Sequence, residues 1–168
     1  MINQKLRIIG IDPGLSNTGY GILDVNFNDF NAVEGGVIRT KSSDSLEKRL
    51  NIIFENISQI IEEFSPVEMA IEDLHSRVKF AKTAILMGHA RGVIVMAAGR
   101  SNLNVIDYQP TKAKNLVSGF GRASKDQIKQ AVSMHLGDIQ VTKNEHVADA
   151  FSIALCHAMV RNSLQRTK

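Results

Sequence analysis

The sequence is poor in the features that mark secreted or membrane proteins. Its 168 residues include one cysteine, Cys156, so an internal disulfide and a thiolate zinc site are both excluded. The longest apolar run, 93–99, is far shorter than the roughly 20 residues that cross a bilayer, and the first residues lack a signal-peptide pattern. We therefore expect a cytoplasmic protein without membrane association, and any bound metal must take oxygen or nitrogen ligands.

Linkers, internal repeats and low-complexity segments are also missing. The chain is 43% hydrophobic and 22% charged, which is enough apolar material for one ordinary core. We predict a single domain spanning residues 1–168.

The charge is unevenly distributed along the chain. Residues 1–73 hold 6 Lys and Arg against 12 Asp and Glu, whereas residues 74–129 hold 10 against 2. The middle segment is therefore strongly basic although the whole chain carries only +3. Such a segment favours contact with a polyanion, and a solvated basic face is the alternative.

The apolar patterns predict an α/β protein. Three strand-like runs, 6–11, 19–25 and 32–40, have short connectors and predict an antiparallel meander. Helical and strand patterns then alternate, with helices at 45–64, 80–100, from 110 to a break at 119–121, 124–136 and 145–163, and strands at 67–71 and 103–108. We expect a mixed five-stranded sheet with helices on both faces, an order that matches the RNase H-like fold by analogy.

Two carboxylates stand at the ends of predicted strands. Asp12 follows the buried run Ile8–Ile11, and Glu72 ends the fourth strand. Because an unpaired buried carboxylate is costly, each needs a cation, although a turn-capping role is an alternative for Asp12. Asp73 must point to the opposite face from Glu72, so we assign Glu72 to the site.

The last predicted helix begins with two further candidates. His146 and Asp149 are three residues apart and share a helical face, although a favourable position at the helix start is an alternative explanation for Asp149. Three carboxylates and one imidazole at element ends suit a pair of Mg²⁺ or Mn²⁺ ions.

Six segments together resemble the RuvC family of bacterial Holliday-junction resolvases, and the match spans essentially the whole chain. They are GIDPGLSNTGYGIL, GGVIRT, AIED, GHARGV, KAKNLVSGFGRASK and HVADAFSIALCHA. The resemblance places Asp12, Glu72, His146 and Asp149 on the family's four metal-binding positions. The third position is Asp in many members, and we expect the imidazole here to favour Mn²⁺ relative to Mg²⁺.

The resemblance implies symmetric cleavage of four-way DNA junctions by two Mg²⁺ ions per subunit, with Mn²⁺ a plausible substitute. Asp12 would bridge the ions, one ion activating water and the other stabilising the leaving 3′-oxygen, so that ligatable nicks with 5′-phosphates result. Lys125 is the better candidate for assisting the scissile phosphate, and Lys114 also matches a family lysine near the DNA. Backbone neutralisation or a solvated charge is the alternative for either lysine.

Further basic side chains are expected to contact the DNA backbone without base readout. They are Lys112, Arg122 and Lys129, together with Arg77, Lys79 and Lys82 after Glu72. The family's stacking aromatic after the glutamate is absent here, and His75 or Phe80 could replace it, while Phe80 could equally be a core residue.

A four-way junction has two equivalent strands to cut, so we expect a homodimer with a two-fold axis. The resemblance implies the branch-migration proteins RuvA and RuvB as partners.

Two other functions are considered: an RNase H-like nuclease acting on structured RNA, as in YqgF-type proteins, and an actin-like nucleotide-binding protein. The second needs two related domains, and the lysine-rich segment 112–125 argues against the first.

Overall fold

The computed structural model describes residues 6–74, 81–137 and 143–166. Five strands form one mixed sheet at its centre. In chain order they are β1 (Leu6–Asp12), β2 (Asn17–Asn26), β3 (Asp29–Arg39), β4 (Glu68–Glu72) and β5 (Asn104–Tyr108).

The strand order is β3-β2-β1-β4-β5. β1, β2 and β3 form the predicted antiparallel meander, while β4 lies parallel to both β1 and β5. Parallel neighbours end at the same edge of a sheet, so the last residues of β1, β4 and β5 lie side by side. This edge carries Asp12, Glu72 and Tyr108.

Helices cover both faces of the sheet, as predicted. They are α1 (Leu46–Phe64), α2 (Ala81–Arg100), α3 (Pro110–Ser118), α4 (Lys125–Leu136) and α5 (Glu145–Arg166). α1 and α2 bury one apolar face of the sheet, and α3, α4 and α5 bury the other. None of the helices in the described ranges is long and apolar enough to span a membrane.

The starts of α1 and α4 are built differently. Ser124 forms a complete capping box with Gln127 at the start of α4, which satisfies two backbone N–H groups. Ser45 occupies the cap position of α1 without a side-chain capping hydrogen bond. The start of α1 therefore depends on packing of its apolar face more than on its cap.

Glycines let α5 lie directly against the sheet. A Cβ atom added to Gly10 would stand 2.2 Å from the carbonyl oxygen of Ala150, and one added to Gly19 would stand 2.1 Å from that of His146. Both obstacles are backbone atoms, so no side-chain rotation could make room. The absence of a side chain at Gly10 on β1 and at Gly19 on β2 thus lets the first turns of α5 approach the sheet edge closely.

A polar network joins the second half of α5 to β4 and β5. His157 Nδ1 lies 2.8 Å from the Tyr108 hydroxyl oxygen, and its Nε2 lies 2.9 Å from a carboxylate oxygen of Glu68. Arg161 donates to the other oxygen of Glu68. Because each ring nitrogen of His157 has a partner, this mostly buried histidine is satisfied, and it fixes the position of α5 along the sheet.

Replacing Gly10 with alanine is expected to destabilise the protein. The new methyl group would force α5 away from β1, and overpacking of this kind costs about 1–3 kcal/mol or more. The free energy of unfolding from urea titration measures the effect. Gly99→Ala at the end of α2 is the matched control, because nothing lies within 4 Å of its added Cβ atom. Equal stability of the two variants would contradict this account of α5 packing.

Candidate metal and nucleic-acid site

Asp12 and Glu72 meet at the edge where β1 and β4 end. Ile11 pairs with Ile71 and both are fully buried on the α1–α2 side, so the residues that follow point toward α5. The two carboxyl groups lie close enough for each to shift the pKa of the other. Asp73 is exposed, which agrees with the expectation that only Glu72 faces the site.

The first turn of α5 supplies the other two predicted side chains. The side-chain oxygen of Asn144 accepts a hydrogen bond of 2.9 Å from the backbone N–H of His146, which fixes the helix start. His146 Nδ1 lies 2.9 Å from Oδ2 of Asp12. Asp149 follows one turn later and lies close enough to raise the pKa of Asp12 and of Glu72.

The three carboxyl groups are held in a poorly hydrated, mutually repulsive arrangement. Burial, and then the negative charge of Asp149, raises the pKa of Asp12 to about 6, although the hydrogen bond with His146 opposes this. Burial and the charges of Asp12 and Asp149 raise the pKa of Glu72 to about 7, while Lys114 lowers it. Burial also raises the pKa of Asp149. Burial is therefore the largest cause of each raised pKa, and repulsion between the carboxylates adds to it for Asp12 and Glu72.

Two lysines stand at the rim of this acidic pocket. Lys114 of α3 and Lys125 of α4 line a cavity together with Glu72 and Asp149. Nζ of Lys125 lies 2.6 Å from Oε2 of Glu145, and this ion pair raises the pKa of the lysine and lowers that of Glu145. Sequence reasoning missed Glu145, because nothing in a separation of 20 residues indicates that α4 and α5 place these two side chains together.

The remaining predicted DNA-contacting residues divide into two groups. Lys112 is exposed on α3 with its Nζ 5.4 Å from the centre of the Tyr108 ring, a cation–π distance. Three others lie in the loop before α4, in α4 and at the start of α2, respectively: Arg122, Lys129 and Lys82. Four predicted residues lie outside the described residues: His75, Arg77, Lys79 and Phe80.

Comparison with known proteins decides the family. The model of the crossover junction endodeoxyribonuclease RuvC family matches residues 8–157. The chain belongs to the RuvC family. It is 42% identical to the RuvC of Alkaliphilus oremlandii over 96% of this chain and 98% of that protein. It is also 42% identical to the RuvC of Thermotoga maritima over 92% of each chain.

Solved RuvC structures share the architecture. The RuvC of Thermus thermophilus in complex with a Holliday junction substrate superposes with a TM-score of 0.88 at 27% identity, covering 94% of this chain and 96% of that one. A second Thermus thermophilus RuvC structure gives a TM-score of 0.86 over the same shares. The predicted RNase H-like fold with a mixed five-stranded sheet is thereby confirmed.

The donor set of this RuvC-family site fits divalent cations. Carboxylate oxygens and an imidazole nitrogen are ligands for Mg²⁺ and Mn²⁺, and the raised carboxyl pKa values reflect burial first and then repulsion between the carboxylates. Within the described ranges, however, no three His, Cys, Asp or Glu side chains stand in ready-made ligand geometry. Asp12 and His146 are paired through one atom each, which leaves Oδ1 of Asp12 and Nε2 of His146 as candidate ligand atoms.

Burial of Glu72 predicts a pH-dependent stability difference between the metal-free protein and Glu72→Gln. The folded-state pKa of Glu72 is raised from 4.5 to about 7, so the wild type loses stability as pH rises through this window, whereas glutamine does not titrate. Above pH 7 the variant should be more stable by up to about 3 kcal/mol, and below pH 4 the difference should vanish.

Unfolding in urea with a chelator present, measured between pH 4 and pH 8, tests this pH dependence. Asp73→Asn is the matched control, because Asp73 is the carboxyl residue next to Glu72 and is exposed to solvent. Addition of Mn²⁺ at pH 8 should stabilise the wild type more than the Glu72→Gln variant. A wild type that is more stable than Glu72→Gln at pH 8 without metal would contradict the account.

Proposed function

We propose that this chain is an endonuclease that resolves four-way DNA junctions in recombination and repair. Membership of the RuvC family supports the activity, and a relative of known structure is described in complex with a Holliday junction substrate. The observation that carries the proposal for this chain is the convergence of Asp12, Glu72, His146 and Asp149 beside two lysines. The actin-like and RNA-directed alternatives are not favoured.

The four converging side chains are proposed to hold two Mg²⁺ ions per subunit, with Mn²⁺ as a substitute. When bound, the ions would supply a nucleophilic water and charge stabilisation at the leaving 3′-oxygen. Asp12 is the central ligand, because it lies within reach of both Glu72 and His146. Many relatives have Asp at the position of His146. An imidazole ligand there gives the site one negative charge fewer, so this site should favour Mn²⁺ more than the sites of those relatives do.

Lys125 is proposed to assist at the scissile phosphate. Its ion pair with Glu145 is exposed to solvent, and screening by water makes pairs of this kind weak. A DNA phosphate can therefore replace Glu145 as the partner of Lys125 at little cost. Lys114, on the other rim of the pocket, is proposed to neutralise a neighbouring phosphate.

Other basic side chains would position the DNA backbone and carry no base readout. We assign this role to Lys112, Arg122, Lys129, Lys82, Arg77 and Lys79. The choice between His75 and Phe80 as the stacking residue after Glu72 stays a sequence-based prediction.

Asp12→Asn should abolish junction cleavage while leaving junction binding intact or tighter. The change removes a metal ligand and one negative charge that repels phosphate. Cleavage of a mobile four-way junction and equilibrium binding to the same junction measure the two effects, with Asp73→Asn as the active control. Loss of binding together with cleavage would count against the assigned role. A wild type that prefers linear duplex or structured RNA would count against the function.

A homodimer is proposed from the surface of α2. Four of its residues are spaced by four, three and four positions along one side of the helix: Ile85, His89, Gly92 and Met96. All four are exposed, with an exposed fraction of 60% for Ile85 and 52% for Met96. Except for His89, they are apolar or lack a side chain. This spacing is that of a seam between two helices, and a two-fold axis there would supply the second active site that symmetric cleavage needs.

Met96→Glu is expected to convert the dimer to a monomer, because the change places a charge in the proposed seam. Sedimentation velocity at micromolar concentration measures the state of association. Met134→Glu on α4 is the control, since this residue is 79% exposed and lies away from α2. A monomeric wild type, or a Met96→Glu variant that remains dimeric, would contradict the proposed interface.

The remaining assignments follow from the family. We propose that residues 1–168 form a single domain and that the protein works in the cytoplasm, where the family's DNA substrate lies. RuvA and RuvB are the proposed partners for coupling cleavage to branch migration.

A further inference from the structure

The loop between α3 and α4 presents an aromatic ring to solvent. Phe120 is 69% exposed, whereas most large apolar side chains of the described chain are buried. Phe27, at the β2–β3 turn, is the other strongly exposed aromatic residue among those described, with 76% exposure. A single exposed ring is common on protein surfaces, so its position in the fold and the charges around it decide whether it has a partner.

The backbone that carries Phe120 is held in place on both sides. The Ser118 hydroxyl donates to the carbonyl oxygen of Lys114 at 2.7 Å and accepts from the N–H of Phe120 at 3.3 Å. Gly119 adopts the left-handed conformation that ends α3, with φ of 79°. On the other side, the N–H of the buried Ala123 donates to the carbonyl oxygen of Phe120 at 3.1 Å. The exposed ring therefore stands on an ordered turn.

This turn connects the two helices that contribute the lysines of the acidic pocket. Lys114 lies one turn before the end of α3, and Lys125 is the first residue of α4. Both line the cavity that contains Glu72 and Asp149. Phe120 accordingly stands on the loop that joins the two lysine-bearing helices of the candidate site.

The surroundings of Phe120 specify the chemistry of its partner. Between residues 112 and 129 the chain carries five basic side chains and one acidic side chain: Lys112, Lys114, Arg122, Lys125 and Lys129 against Asp126. An apolar ring in such a basic segment suits a partner that combines negative charge with flat apolar faces. Nucleic acid has both, because phosphates neutralise the lysines while a base offers its face to the ring.

We propose that Phe120 stacks on a base at the branch point of the junction and so contributes to selection of junctions over duplex DNA. This inference rests on the proposed function. Bases within a duplex are already stacked on both faces, whereas a base at a crossover can offer a free face. Stacking by Phe120 should therefore strengthen binding to junctions and leave binding to linear duplex unchanged.

Equilibrium binding of the full-length protein to a four-way junction and to a linear duplex, with a chelator to prevent cleavage, tests the proposal. Phe120→Ala should weaken junction binding by about 5- to 100-fold, the range found when a stacking aromatic is removed, and leave duplex binding unchanged. Phe120→Trp should restore junction binding. Phe27→Ala is the matched control, because it removes a similarly exposed ring. Phe27 follows the end of β2 that lies farther from Asp12.

A second readout distinguishes stacking from a general effect on the fold. With 2-aminopurine at the branch point, its fluorescence should change on binding of the wild type and of Phe120→Trp, and this change should be lost with Phe120→Ala. Thermal unfolding of Phe120→Ala should match the wild type, because the ring is mostly exposed.

The outcomes separate this inference from the proposed function. A wild type with no preference for junctions would overturn the function and the inference together. If the wild type prefers junctions and Phe120→Ala keeps the same preference, only the role of Phe120 is overturned. Equal weakening of junction and duplex binding by Phe120→Ala would also overturn it, because stacking at the branch point predicts a selective loss.

Discussion

The site depends on the direct contact between α5 and the first two strands. At Gly10 and Gly19 the sheet offers no side chains, so backbone carbonyls of α5 occupy the space that Cβ atoms would otherwise fill. This contact brings the helix start to the edge where β1 and β4 end. His146 can then reach Asp12 over 134 residues of sequence, and Asp149 joins the same pocket. The polar network around His157 fixes the same helix further along its length.

The cost of this arrangement is electrostatic. Three carboxyl groups share a poorly hydrated pocket, and their raised pKa values show that the metal-free protein favours protonation there. Divalent cations would remove this conflict, and the binding free energy of the metal would then compensate for a local instability of the fold. On the proposed function, the lysines of α3 and α4 would pair with phosphates that approach the acidic centre. The acidic pocket and the two lysines at its rim thus place opposite charges side by side.

Much of this could be predicted from the sequence because strand alternation and helical spacing are local properties. Asp12 and Glu72 could be assigned to one face since each ends a buried apolar run, and the spacing of His146 and Asp149 is visible directly. The pairing of Lys125 with Glu145 could not, because it depends on how two helices pack. β3 also begins earlier than predicted, at Asp29 rather than at residue 32, because its first residues lack apolar alternation on the edge of the sheet.

The central claim is that one pocket formed by Asp12, Glu72, His146 and Asp149 binds a pair of divalent cations. A crystal structure of the wild-type protein grown with Mn²⁺, with anomalous diffraction recorded at the manganese edge, tests it most directly. The account predicts two anomalous peaks among these four side chains, with Asp12 contacting both. Manganese bound only elsewhere on the molecule would contradict it.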